Sequence, residues 1–157
     1  MSERCVGLVI VGDVVTAVDT EVPDDAGAPI VILSDNTWKL QSGDRAEAYE
    51  VMYRRCANYL RENGITKVVV KASALTMGST KLSHMTSAEL RGVMIASAAS
   101  VTVVRTISKA LISRTYGDRN MDEYLQDDDF WKRNTIGGSL RKNSREAAMI
   151  VIAARNN

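Results

Sequence analysis

The chain has 157 residues, 45% of them hydrophobic and 25% charged, which fits one soluble globular domain (1–157) with a core of its own. A single histidine, His84, and two isolated cysteines leave almost nothing from which to build a histidine zinc site, a Ser–His or Cys–His nucleophile or a disulfide framework. The charge is uneven, with 6 Lys/Arg against 11 Asp/Glu over residues 1–63 and 14 against 8 over residues 64–157. The second part is thus suited to an anionic partner such as nucleic acid, although attraction between the two halves, within one chain or across a dimer, would use the same asymmetry.

No apolar run approaches the roughly 18–20 residues of a membrane span. The opening MSERCVGLVIVG leads straight into a strand pattern without the long apolar region and cleavage site of a secretory signal. A cytoplasmic protein with Cys5 and Cys56 reduced and buried is the expectation.

In chain order, CVGLVIV (5–11) and VVTAVDTEV (14–22) are β-rich runs joined by Gly12-Asp13, a good hairpin signal because glycine supplies positive φ. PDDAGAP (23–29) is a loop. IVIL (30–33) is a strand, and TWKLQ (37–41) either continues it or forms a further strand after a turn at Ser34-Asp35-Asn36. Asp44 and Glu47 form a capping box for a helix that carries Tyr49, Met52, Tyr53, Cys56, Tyr59 and Leu60 at helical spacing and ends at Asn63-Gly64. KVVVK (67–71) is a buried strand ending on a charge, and residues 72–85 read as a loop. Thr86 and Glu89 make a second capping box, for a helix whose inner face is Leu90, Val93, Met94, Ser97 and Ala98. SVTVV (100–104) is a strand, and Thr106 caps a short helix (107–114). Asn120 and Glu123 cap one helix through MDEYLQDDDFWKRN. A basic loop, 134–143, leads to a last helix capped by Ser144 and apolar almost all round.

An antiparallel meander followed by βα units gives a five-stranded mixed sheet with helices on both faces. This order resembles the ribonuclease H-like fold, in particular its RuvC-type, Holliday-junction-resolvase branch. The resemblance is best over 86–117, with Arg91-Gly92, Ala98-Ala99, Val101–Val104, Thr106, Lys109 and Gly117 at the matching places. It implies two divalent metals held by an acid in the first strand, a glutamate at the end of the fourth and acids on the last helix.

Carried over by position, the first falls at Val9 and the second at Lys71, and on the last helix only Glu146 is an acid, with Ser144 and Ala147 near the other place. The resemblance therefore implies a nuclease scaffold without its carboxylates. The expected function is a non-catalytic module, a pseudonuclease, that binds nucleic acid or a protein partner and forms a homodimer as resolvases of that branch do, with no cofactor.

For Lys71 three readings stand: contact with a phosphate, a strand-end lysine reaching solvent, or a salt bridge to Glu146. Lys81, Lys109, Arg114, Arg141, Lys142 and Arg145 are the further candidates for phosphate contact. Trp38 and Trp131 are base-stacking candidates or packing anchors. Met77, Leu82, Met85, Met94 and Ile95 serve either a dimer interface or the core. Two rivals remain. One is a Mg²⁺-dependent nuclease using displaced acids, Asp13, Asp19 and Glu146 with Asp118 or Asp122; Asp19 itself is expected to face solvent. The other is a structural subunit of a larger assembly.

Overall fold

A computed structural model describes residues 2–73, 81–117 and 119–157. Six strands form one mixed sheet in the order β5-β4-β1-β2-β3-β6. Strands β1 (Ser2–Val11), β2 (Val14–Pro23) and β3 (Ile30–Lys39) make the antiparallel meander, and β4 (Lys67–Lys71) and β5 (Val103–Ile107) add parallel on the β1 side. The sixth strand, β6 (Thr135–Ile136), pairs only with Ile30 and Val31. Its two residues are too few to show as a periodic pattern.

Alternation along β1 decides what lies on each face. Val6, Leu8 and Ile10 point to the layer of α1 (Arg45–Glu62) and α2 (Leu82–Ala99), while Cys5 and Val9 point to the layer of α6 (Arg145–Arg155). Helices α3 (Lys109–Tyr116), α4 (Met121–Leu125) and α5 (Asp128–Asn134) extend the α6 layer, contributing Ile112, Met121, Tyr124, Phe130 and Trp131 to its core. Helix α6 comes closest at Gly7: a Cβ placed there would lie 2.1 Å from the Ala147 carbonyl oxygen. The residues of α6 from Ala147 to Ala154 are all buried, as an apolar helix seated on a sheet must be. No helix among the described residues is long and apolar enough to cross a membrane.

Several expectations hold locally. Gly12 takes a φ of 57° at the first hairpin, Asp44 accepts from the Glu47 N–H, and Gly64 follows α1 at a φ of 62°. Others do not. Helix α2 starts at Leu82 rather than at Thr86, because the Thr86 and Ser87 hydroxyls turn back to the Ser83 carbonyl and support a turn already formed. Thr106 lies inside β5, and Ser108 caps α3 by accepting from the Leu111 N–H. The helix expected over 121–134 is two, because the Asp127 side chain accepts from the Phe130 N–H and starts α5 afresh.

Of the two readings of TWKLQ, continuation of the strand holds, and the turn at Ser34-Asp35-Asn36 is not formed. The strand is continuous, and Leu33 is an extra residue: Asp19 pairs with Ser34, whereas Thr20 pairs with Ile32. This bulge reverses the alternation. Ile30 and Ile32 face the α6 layer, and beyond Leu33 it is Asp35 and Thr37 that face that layer while Trp38 packs with α1.

Both cysteines are free and buried, Cys5 with its thiol pushed by burial up to about 12 and Cys56 to about 11. They are packing groups.

Candidate functional site

The register places one row of side chains across the α6 face at the head of the sheet. Val9 pairs with Thr16 and Thr16 with Thr37; one residue beyond the Leu8–Val70 pair, Lys71 stands beside Val9. The row therefore reads Lys71, Val9, Thr16, Thr37, at the carboxyl edge of the parallel strands where open α/β sheets gather their ligands. The first turn of α6 and the chain just before it close over this row.

Three ion pairs hold that closure. The Lys71 ammonium donates to the Glu146 carboxylate, with the two side chains only 23% and 20% exposed. Arg141 forks onto Asp35, through Nε at 3.0 Å and Nη2 at 2.7 Å, and also donates to the Thr37 hydroxyl at 2.7 Å. Arg145 donates to the Asp128 carboxylate at 2.7 Å and to the Leu125 carbonyl at 2.9 Å. The segment 141–146 is thus tied to β3, β4 and α5 by alternating charges. Ser144, expected as a helix cap, makes no capping bond and instead donates to Asp35 at 2.5 Å. The carboxylate of Asp35 is the stronger acceptor, and it lies within reach because the Leu33 bulge has turned it inward.

Burial of Asp35 opposes its ionisation, yet the hydrogen bonds from Arg141 and Ser144 outweigh it and hold its carboxyl below the ordinary 3.8. A depressed carboxyl pKa contributes stability above the unfolded-state value and loses it as pH falls through the folded-state value. Asp35→Asn should therefore cost roughly 1 kcal/mol at neutral pH, a small figure because water screens the exposed arginine. Thermal melts of the two proteins should converge below about pH 3.8. A gap that persists unchanged in acid would assign the effect to packing.

The structure answers the question about Lys71 with the third reading, the salt bridge. It also removes Arg145 as a solvent-facing cation, since its side chain is 10% exposed and its polar tips are engaged. Lys81 precedes α2, Lys109 opens α3 two residues beyond Ile107, the β5 partner of Lys71, and Arg114 lies in the last turn of α3, all three exposed; Lys142 is exposed beside Gln126. The displaced-acid set does not assemble. Asp13 is exposed in the hairpin turn, 3.7 Å from Arg45. Asp19 does not face solvent: it is 2% exposed on the sheet face opposite α6, bonded to Arg4 at 2.8 Å and the Tyr59 hydroxyl at 2.7 Å. The sheet itself lies between it and Glu146. Asp122 is exposed on α4, and Asp118 lies outside the described residues. Among the described residues no group of three or more metal-ligating side chains converges.

Trp38 and Trp131 are packing anchors. The first is buried edge-on to Tyr59, and the second donates its indole N–H to the Tyr124 carbonyl within an aromatic cluster with Phe130. Met94 is core and Ile95 half-buried against it, Leu82 and Met85 are exposed, and Met77 lies outside the described residues. Sequence reasoning missed Asp35 and the pairing role of Asp128. The second had a faint signal in the acidic run DDDF; the first had none, since a bulge leaves the composition of a strand unchanged.

The fold is RuvC-like. Thermus thermophilus RuvC superposes with a TM-score of 0.74 at 10% identity, covering 98% of this chain and 93% of that one. The same resolvase in complex with Holliday junction substrate gives 0.70 at 9% identity, over 98% and 93%. The yeast mitochondrial Holliday junction resolvase Ydc2 gives 0.67 at 10% identity, over 98% of this chain and 79% of that one. No family model and no curated protein sequence matches the chain.

Proposed function

We propose that the chain is a non-catalytic RuvC-like module that binds nucleic acid. The carrying observation is the Lys71–Glu146 ion pair beside Val9. Divalent cations of the Mg²⁺ type need several hard oxygen ligands with uncompensated charge. At the positions where the resemblance expects such ligands, this chain offers an alkyl group, an ammonium, one carboxylate already neutralised by that ammonium and, at the second place on the last helix, no acid. The donor set does not fit the metals, and no hydrolytic step is derived from it. Likeness to a resolvase solved with its junction substrate supports nucleic acid as the ligand class, and so does the basic balance of residues 64–157.

The test is fluorescence-anisotropy titration with labelled four-way, duplex and single-stranded DNA and with RNA, in Mg²⁺, followed by gels of the products. Binding that weakens with salt and leaves the strands intact is the expected result. Cleavage by the purified protein would overturn the non-catalytic part, and absence of binding to every probe would overturn the rest.

A further inference from the structure

The connection from α5 to α6 encloses an open groove of about 640 Å³ on the α6 side of the molecule. Its polar rim is cationic. Lys132 comes from the last turn of α5 and Lys142 from the turn before α6, and both lie close enough to Asp128 to lower its carboxyl pKa, behind the larger effect of Arg145. Arg141 and Arg145 complete the wall, each already held by a carboxylate, Asp35 and Asp128 respectively. Gly138, Ser139 and Leu140 form the rest of the lining with Trp131.

The charges do not balance. Four cations meet two carboxylates, and those two are taken up by the arginines. Among the described residues the exposed Lys132 ammonium makes no ion pair, feeling Asp128 only at a distance, and Lys142 has a single long contact, 3.5 Å, to the neutral Gln126. Deeper in the wall, Arg145 is nine-tenths buried and its Nε finds no hydrogen-bond partner among the described residues. A buried guanidinium needs acceptors for its N–H groups as well as a counter-charge; Asp128 supplies the charge, and the Nε–H is left without an acceptor among those residues. Between the two free lysines the groove has the size and charge for an anion with several acceptor oxygens, whereas the uncharged lining offers little to a purely apolar guest.

We propose that this groove is the phosphate-backbone seat of the module, in which Lys132 and Lys142 neutralise consecutive phosphates of a bound strand while Asp35 and Asp128 keep the arginine wall in place. The proposal rests on the nucleic-acid reading given above and locates it. Contact is made on the α5–α6 connection, which leads directly into Glu146 of the Lys71–Glu146 pair, rather than on the α3 lysine and arginine. A backbone seat neutralises charge and reads no sequence, so affinity should be insensitive to base composition and sensitive to salt.

The test compares three full-length proteins, wild type, Lys132→Glu/Lys142→Glu and Lys109→Glu/Arg114→Glu, by anisotropy titration against one labelled duplex and one labelled single strand across a salt series. All four substituted side chains are exposed, so thermal melts should be unchanged, and Lys132→Gln/Lys142→Gln repeats the first pair without added negative charge. The groove pair should weaken binding by about tenfold or more and flatten the salt dependence by about two phosphates' worth, with the Gln pair intermediate. The α3 pair should stay within about threefold of wild type. If wild type binds and the groove pair binds as well as it does, or if only the α3 pair fails, the seat is elsewhere while the nucleic-acid reading stands. If wild type binds neither probe, that reading and the seat fall together.

Discussion

Gly7→Ala should be among the most damaging single-methyl additions this chain can receive. The added Cβ would lie 2.1 Å from the Ala147 carbonyl oxygen, 2.9 Å from its carbon and 3.0 Å from Val151 Cγ2. The nearest two atoms are backbone of α6, so no rotamer change can make room. The helix must lift from β1, and with it the buried run from Ala147 to Ala154 loses contact with the sheet. Overpacking of a core usually costs about 1–3 kcal/mol, and a rigid backbone obstacle belongs at the upper end or beyond it. For a chain of this size that is a fall in melting temperature of roughly 6–12 °C. Gly92→Ala is the control. Gly92 lies on the exposed side of α2 with nothing within 4 Å of its would-be Cβ. Alanine there removes unfolded-state freedom without meeting an obstacle and should stabilise by about 0.4–1 kcal/mol. Melts of both variants beside wild type decide the matter. A Gly7→Ala protein within a degree or two of wild type would mean that α6 is not seated on β1 as described.

These two glycines show how much could be read beforehand. Nothing around Gly7 in CVGLVIV distinguishes it from a glycine tolerated in a strand, because the obstacle comes from a residue 140 positions later. The order of elements was legible because hydrophobic periodicity, capping pairs and turn glycines are local signals. They placed the meander, α1, β4 and the buried last helix correctly. The errors lie where a side chain had two local partners to choose from. Thr86 could have capped α2 and instead bonds back to Ser83; Asp127 could have sat within one long helix and instead begins another. The bulge at Leu33 was the costlier omission, because alternation read through it assigns Asp35 to the wrong face. At the site, Lys71 and Glu146 were visible as the two charges at the expected positions. Their bond was one of three readings, since a strand end and a helix start meet only through long-range packing. Asp19 was misplaced because a buried carboxylate depends on Arg4 and Tyr59, partners no local pattern announces.

Lys71→Glu should turn the closure over β1 from attractive to repulsive and, by doing so, make the protein respond to Mg²⁺. In the wild type the ammonium meets Glu146 in a setting where both side chains are about four-fifths covered. Removing the charge alone, as in Lys71→Met, leaves the Glu146 carboxylate uncompensated. That cost reaches about 3–5 kcal/mol for fully buried pairs, and about 1–3 kcal/mol is reasonable here because water still reaches both groups. Lys71→Glu adds repulsion between two carboxylates, so its melting temperature should fall below that of Lys71→Met near pH 8. The sign then reverses with acid. Each carboxylate raises the other's pKa in the folded state, so one takes up a proton as pH falls and the repulsion disappears. The Lys71→Glu protein should accordingly regain stability as pH falls toward the ordinary carboxylate range, and by more than Lys71→Met, whose single uncompensated carboxylate also recovers on protonation. A divalent cation can do what the proton does. Two facing carboxylates are the beginning of a hard-oxygen site, and millimolar Mg²⁺ should raise the Lys71→Glu melting temperature by the ordinary linkage of a ligand that binds only the folded state. The wild type and Lys71→Met should not move, and Lys71→Glu/Glu146→Gln should lose the response because one of the two oxygen pairs is gone. Melting curves with and without Mg²⁺ read this without any assay of activity. A wild type that is itself stabilised by Mg²⁺ would show that acids elsewhere hold a metal, and the non-catalytic reading would have to be given up. A Lys71→Glu protein indifferent to both pH and Mg²⁺ would show that residue 71 and Glu146 do not face each other in solution.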